Sequence, residues 1–479
     1  MSSLYKNVVL LASSSLLTVL IGLASSKLWA VLGGPLALAE QGLIVPLLGL
    51  CVLVASLGLG SGLVKLGAAA LAQNDLERVN ALRHAAWRLQ FFIWLICVLG
   101  LFLGRSLIGR WSLGRSEATL EVLVIAFALW FALASALHTS TLNAFQRVSV
   151  LARSNVMVVF FSSLAGVLIL WRFGLPGVVW SVLCGSIAGW LVARTVALRE
   201  LGHVAPSSRP QILAAIQTLI GFGFPYTLSM IAGQLVQFLL PSLILHELGR
   251  NEVGFYRLSS SIAVAYLGFL TNAMAQDYFP RLSALKTDYE IKEAVNRQHQ
   301  MVMALCLPVI LGVLWLAPLV VPLLSSSAFM PSVRVLEWQL AGDVLKLSSW
   351  VMAFVILARA GSAWFLLTEL VAGLVSLLAN LWAMRVFGLP GLGIAYIITY
   401  AAYWLIVALV VHRRFGFGLN ASNYLWLWLG FAAAMAITAM NSVDLTSRFW
   451  LGGMLTAAIS VLSVSKLRSE WHSGRLIKS

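Results

Sequence analysis

The sequence predicts an all-α polytopic membrane protein of about fourteen transmembrane helices. They are expected to form two parallel-repeat six-helix lobes around a central cavity, with a further helix pair at the C-terminal end. Three observations carry that expectation. The 479 residues are 60% hydrophobic and only 10% charged, with a mean hydropathy of +0.93. Soluble globular chains carry roughly 25% charged residues, and so few charges cannot cover a water-facing surface of this size. Apolar runs of about 18 residues or more recur along the chain, each long enough to cross about 30 Å of hydrocarbon as a helix; the short alternating segments of a transmembrane β-barrel are missing. Finally, the pentapeptide FGLPG occurs twice, from Phe173 and from Phe387, 214 positions apart (387 − 173).

Six spans fall at about 8–31, 41–63, 85–107, 119–142, 155–172 and 177–198. A short head with Lys6 precedes the first and looks like a secretory signal. Many spans follow it and no convincing cleavage site is present, so it reads as a retained helix. A polar connector, GHVAPSSRPQ (Gly202–Gln211), carries Pro206 and Pro210. Six more spans fall at about 214–246, 254–277, 301–324, 336–358, 363–384 and 390–412, and a last pair at about 422–441 and 447–465. The expected organisation is a first lobe over 1–201, a cytoplasmic connector over 202–213, a second lobe over 214–415, and a helix pair with a basic tail over 416–479.

Each FGLPG lies between the fifth and sixth span of its series. Pro176 and Pro390 suit the first turn of a helix, where the missing N–H costs nothing, and the glycines suit a tight turn. A lone pentapeptide is also a generic turn. The same offset relates Trp190 to Trp404 and Arg199 to Arg413, which favours a repeat. An even number of spans brings both copies in from the same side, so the halves are parallel rather than inverted. Two such bundles enclose a cleft, and rocking one against the other is a route to alternating access.

The net charge is +15. The cations sit mainly in loops, which points to the positive-inside rule and anionic lipid rather than nucleic acid. Roughly 21 basic residues fall on the side of the N-terminus and about 10 on the other, placing both termini in the cytoplasm. One loop dissents, with Arg105, Arg110 and Arg115 outside. Cys51, Cys97, Cys184 and Cys306 each lie in an apolar run without metal-ligand spacing, and read as small hydrophobes. GxxxxGK[ST], HExxH and GxSxG motifs are absent, and the longest loop is expected around Ser283–Gln298. The chain reads as a non-enzyme.

Ionisable residues inside spans are costly and mark function by default. Lys27, beside Ser25 and Ser26, either snorkels to the outer interface or faces the cleft and holds an anionic group. Asp343 and Lys346 share a helix face at i, i+3; they either form a self-neutralising packing pair or provide a proton or cation site. Glu369 has no charged neighbour in its own helix, which suits ion coupling; pairing with Lys346 or Arg359 is the alternative. Arg257 begins the eighth span near the outer side. Gln234, Gln237, Asn143 and Gln146 are polar helix glue of low specificity. Gly223 and Pro225 interrupt a long apolar run, and Pro225 is expected to kink the seventh helix as a gate.

The stretches KLWAVLGGPLALAEQG (Lys27–Gly42), GSGLVKLGA (Gly60–Ala68), GFYRLSSSIAVAYLGFLTNAMAQDYFPRLSAL (Gly254–Leu285) and VLEWQLAGDVLKLSSW (Val335–Trp350), with TEL at Thr368–Leu370, come in this order. Through them the chain resembles the Wzx-type O-antigen and lipid-linked oligosaccharide flippases of the multidrug/oligosaccharidyl-lipid/polysaccharide exporter superfamily. The likeness spans about residues 8–412, and the subgroup moving enterobacterial-common-antigen-type lipid intermediates is the most similar. The resemblance implies a V-shaped pair of lobes around a cationic cavity in the bacterial inner membrane. The implied substrate is an undecaprenyl diphosphate carrying a short glycan, moved from the cytoplasmic to the periplasmic leaflet. It also implies that Lys27, Arg257 and Lys346 meet the diphosphate, and that Lys65 attracts it near the cytoplasmic mouth. No cofactor is implied beyond coupling to H⁺ or Na⁺ through Asp343 or Glu369. The partners it implies are the bilayer, the lipid-linked glycan, and polymerase and chain-length proteins of polysaccharide assembly. The final helix pair departs from the twelve-helix pattern of many such flippases.

The physics suits that task. A glycan diphosphate loses its water in hydrocarbon, and a cation-lined cleft replaces that water. Two negative charges leaving a negative interior gain roughly 4.6 kcal/mol per 100 mV. Three rivals remain. A multidrug cation antiporter would want acidic and aromatic lining, whereas the intramembrane charges here lean basic. An O-antigen polymerase or ligase would want a long periplasmic loop. A passive scaffold or channel would not need the repeat.

Overall fold

The computed structural model describes residues 3–201, 207–274, 278–360, 362–440 and 445–472. Pro206 in the connector and the tail cations Arg475 and Lys478 lie outside them. The helices in chain order are α1 (Ser3–Ser56), α2 (Leu59–Ala72), α3 (Leu76–Leu103), α4 (Arg105–Ile108), α5 (Thr119–Ala144), α6 (Val148–Phe173), α7 (Val178–Leu201), α8 (Arg209–Glu247) and α9 (Arg250–Ala273). They continue with α10 (Phe279–Ala284), α11 (Asp288–Trp315), α12 (Ala317–Leu324), α13 (Pro331–Val355), α14 (Ser362–Phe387), α15 (Gly391–Phe415), α16 (Ala421–Ala439) and α17 (Leu445–His472).

Each expected span falls on a helix. Among the described residues, 12 helical segments are long and apolar enough to cross a membrane. As one straight rod the 54 residues of α1 would measure about 81 Å, far beyond a 30 Å core. Non-helical Gly34 (φ 63°, ψ −163°) divides it into the first two expected spans. Conversely, α8 supplies two of the 12 segments, Arg209–Leu228 and Met230–Glu247. Neither α9 nor α16 is among these segments.

The repeat is written in the helix bounds. Both α3 and α11 have 28 residues, and both α6 and α14 have 26. Asp75 caps α3 by accepting from the Arg78 N–H at 2.9 Å. Thr287 does the same for α11, accepting from the Glu290 N–H at 3.3 Å, while the Glu290 carboxylate accepts from the Thr287 N–H at 3.0 Å. In the two FGLPG turns Gly174 and Gly388 have φ of 62° and 64°. L side chains avoid that region, which is why glycine stands there twice.

The chain divides into two compact units, Met1–Gly254 and Phe255–Ser479. In the first, α5 packs against α2, α3 and α7, and α8 packs against α1, α2 and α3. Leu59, Leu63, Leu82, Leu137 and Leu219 form one buried core there. Gly223 on α8 meets the break between α1 and α2, where Leu57 and Gly58 have φ of 44° and 64°. A Cβ on Gly223 would overlap the Leu57 carbonyl oxygen, and one on Gly58 would lie 2.6 Å from the Gly223 oxygen. Gly223 is therefore a backbone contact point. Pro225 and Pro241 both lie inside α8, which runs on through them.

In the second unit α13 is the central helix, packed against α11, α15 and α16. Buried residues make up 83% of its membrane window, against 50% or less for every other candidate span. The final pair belongs to this unit's core: α16 and α17 both pack on α11. Gly430 lies against Leu307, and the Trp315 indole N–H donates to the Phe449 carbonyl at 2.9 Å.

One expectation needs correction. The segment around Ser283–Gln298 is mostly helix, because the Thr287 cap starts α11 and Ile291 and Val295 are buried on it. In the dissenting loop, the Arg115 guanidinium donates to Glu40 at 2.9 Å and to Glu121 at 2.5 Å. The four cysteines are free and half-buried.

Candidate functional site

Enclosure of α13 forces its polar residues into the interior of the second unit. Asp343 is fully buried and Lys346 nearly so. The Lys346 ammonium donates to the Tyr396 hydroxyl at 2.8 Å, and that hydroxyl donates to Asp343 Oδ1 at 2.7 Å. The direct Nζ–Oδ1 distance is 3.8 Å. Three rings complete the shell, with centroids 4.8 Å (Trp350), 5.2 Å (Tyr400) and 5.4 Å (Tyr396) from Nζ. Their faces supply the negative side of the aromatic quadrupole to the cation. Gly342 makes room: a Cβ there would stand 2.6 Å from the Tyr396 ring.

Glu369 on α14 accepts from the Tyr403 hydroxyl at 2.6 Å. Neither Lys346 nor Arg359 fills that role; the Arg359 guanidinium donates to the Leu285 carbonyl. Tyr396, Tyr400 and Tyr403 stand at i, i+4 and i+7 on α15, with successive ring centroids 4.6 and 6.4 Å apart. A stripe of tyrosines thus joins Glu369 to the Asp343–Lys346 pair. Below it, His299 Nε2 lies 2.9 Å from Ser348 Oγ, and the Trp404 indole N–H donates to the same oxygen at 3.0 Å. Asn423 Nδ2 donates to Asn296 Oδ1 at 2.8 Å, tying α16 to α11.

The other expected site residues are placed differently. Arg257 is half-buried on α9 and makes no ion pair among the described residues. Near it Gln339 Nε2 donates to Ser260 Oγ at 3.2 Å, joining α13 to α9. Lys27 and Lys65 belong to the first unit, on α1 and α2, and both are exposed. The Lys65 ammonium sits 4.7 Å from the Phe222 ring centroid. Among the described residues, no group of three or more His, Cys, Asp and Glu could hold a metal ion.

The repeat supplies an internal control. At the offset of 214, the positions related to Asp343, Lys346, Glu369, Tyr396 and Tyr403 carry Leu129, Ala132, Asn155, Val182 and Gly189. The same packing is therefore built in the first unit without this charge set. Sequence reasoning missed the tyrosine stripe, although its helical spacing was a usable signal. It also missed Glu40, which is buried and accepts from both Arg115 and Arg250. Nothing local announces those partners, 75 and 210 positions away.

Comparison with known proteins adds to this geometry. "Lipid III flippase" of Escherichia coli (strain K12) is 28% identical over 166 residues, covering 35% of this chain and 40% of that protein. A "Putative O-antigen transporter" of Shigella flexneri is 25% identical over 136 residues, covering 27% and 32%. The matched stretch thus spans less than half of these relatives. Among solved structures, "Lipid II flippase MurJ, inward closed conformation" has a TM-score of 0.68 at 14% identity, covering 96% of this chain and 99% of that one. An inward-facing multidrug resistance MATE family transporter has a TM-score of 0.60 at 16% identity, covering 88% and 96%. Both likenesses concern the fold. Residues 41–334, more than half of the chain, match the family described as "Polysaccharide biosynthesis protein". This multi-pass helical membrane protein belongs to the polysaccharide biosynthesis protein family.

Proposed function

We propose that the chain is a flippase for a lipid-linked saccharide. In its finer form, the substrate is an undecaprenyl-diphosphate-linked oligosaccharide of O-antigen or enterobacterial-common-antigen type. It would move from the cytoplasmic to the periplasmic leaflet of the bacterial inner membrane by alternating access, with both termini cytoplasmic. The observation that carries the reading is the buried Lys346–Tyr396–Asp343 set, which the repeat-related helices do without. A buried ion pair is weak as a source of stability, and its confinement to one repeat suits a substrate role.

The chemistry follows from the shared hydroxyl. Tyr396 holds Lys346 and Asp343 together, so neutralising Asp343 with a proton, or screening it with Na⁺, releases a cation for a phosphate oxygen. Glu369, linked through the tyrosines, is a second coupling candidate. Lys27, Arg257 and Lys65 are further candidates for diphosphate contact. The two six-helix repeats, 1–201 and 214–415, are the proposed moving lobes. Polymerase and chain-length proteins are the proposed partners. The names of the matched relatives support this reading; the fold, shared with multidrug transporters, does not discriminate. An enclosed ammonium favours an anionic substrate over a cationic drug.

The test is reconstitution in liposomes with an undecaprenyl-diphosphate oligosaccharide, reading how much labelled glycan becomes accessible on the opposite leaflet with and without an imposed potential. Protein-dependent, potential-sensitive transfer is expected. No transfer across several glycans by folded protein, with transport of cationic dyes instead, would overturn the reading in favour of the multidrug antiporter.

A further inference from the structure

The first unit carries a second cluster of cations that the transport reading does not use. Arg83 on α3 is only 8% exposed, and its Nε has no hydrogen-bond partner among the described residues. His138 on α5 lies within electrostatic reach of both Arg83 and Arg194 of α7. Neither arginine pairs with a carboxylate among the described residues. The three groups sit at one depth: Arg83 is seven residues after the start of α3, His138 six before the end of α5, and Arg194 seven before the end of α7. At 1.5 Å per residue that is about 10 Å from the helix ends, near the boundary between headgroups and hydrocarbon. A buried guanidinium with an unsatisfied N–H is costly, and two arginines without an acidic partner among the described residues leave an uncompensated positive site.

Aromatic rings continue from the cations towards the middle of the membrane. Trp87 lies 5.1 Å from His138 and 6.2 Å from Trp130, centroid to centroid. Trp130 lies 5.2 Å from Trp94 and 5.7 Å from Phe91, a residue that is 43% exposed. The guanidinium of Arg83 stands 6.0 Å from the Phe145 ring and that of Arg194 5.3 Å from Trp190. The arrangement is a polar cationic head above an apolar aromatic wall, all within one unit.

We propose that this niche is a binding site for an anionic phospholipid of the leaflet at which α3 begins. The phosphate sits between Arg83 and Arg194, where guanidinium groups match its oxygens in a fork, and one acyl chain lies along Trp87, Trp130 and Phe91. Basic pockets between membrane helices bind lipid headgroups by the same chemistry. The occupant is a lipid rather than a free anion, because the aromatic wall has no use for inorganic phosphate.

The experiment is native mass spectrometry of the full-length detergent-purified protein, titrated with phosphatidylglycerol and with phosphatidylcholine of the same chains. The first phosphatidylglycerol is expected to bind about tenfold more tightly than phosphatidylcholine, the scale of one charge-assisted contact. R83Q and R194Q should each remove most of that preference. R153Q, at an exposed cation on α6, should leave it intact, and W130A should weaken both lipids alike. Because R83Q removes a buried group, R194Q at an exposed position serves as the variant that keeps the fold. Equal binding of the two lipids by the wild type, or an unchanged preference in R194Q, overturns the proposal. So does displacement of the lipid by millimolar inorganic phosphate.

Discussion

Replacing Lys346 by methionine keeps the volume of the side chain and leaves the Asp343 carboxylate enclosed without its cation. The magnitude follows from the geometry. Two unit charges 3.8 Å apart interact by about 4 kcal/mol at an effective dielectric of about 20. The bridging Tyr396 hydroxyl gives up its charged donor, worth roughly 1.5–3 kcal/mol. Breaking one side of a buried pair typically costs about 3–5 kcal/mol, so K346M should destabilise the protein by about 4 kcal/mol. D343N alone should cost a similar amount. The double variant D343N/K346M removes both charges and should recover all but about 1 kcal/mol, because replacing a whole buried pair by neutral groups is often close to neutral. Unfolding of the purified protein by titrated detergent gives the four stabilities of the cycle, and the liposome assay gives flipping for the same four proteins. A stable double variant that no longer flips is the expected result. Strictly additive single effects would refute the pairing. A double variant that flips at the wild-type rate would refute the substrate role and leave the pair as packing alone.

Glu369→Gln should make flipping insensitive to collapse of the proton gradient, and Tyr403→Phe should shift the pH profile of transport without abolishing it; gradient dependence unchanged in E369Q removes the coupling role. Glu40→Gln leaves the Arg115 and Arg250 guanidiniums without their shared carboxylate and should cost about 3 kcal/mol of stability, read as a fall in melting temperature; no fall means that water already screens the cluster. Gly223→Val forces a branched side chain against the Leu57 carbonyl and should cost about 3 kcal/mol or more, whereas Gly221→Ala, which meets nothing within 4 Å, should be mild; expression and thermal stability compare the two. Gly174→Ala and Gly388→Ala should each cost about 1–2 kcal/mol, because both turns need positive φ; unequal costs would mean that the two FGLPG copies do different structural jobs.

Much of the fold could be read in the order of the residues, because its signals are local. An apolar run records a membrane crossing by itself, and Asp75 and Thr287 announce helix starts with partners three residues away. The FGLPG pair, through Gly174 and Gly388, marks the repeat in the same way. Asp343 and Lys346 were visible as a pair because one helix face separates them by three positions. The rest of the site was decided by packing between helices. Tyr396 reaches Asp343 across 53 positions and Tyr403 reaches Glu369 across 34, and Glu40 gathers arginines from two distant corners of the first unit. The burial of α13, and the docking of α8 against α1 and α2 through Gly223 and Gly58, are likewise properties of the assembled units. Most spanning helices in such a chain are apolar over most of their surface, so the hydrophobic pattern that orients a helix in water carries little information about which face meets which neighbour. Side-chain shape and the pairing of scarce polar groups make that choice, and those come together only in three dimensions.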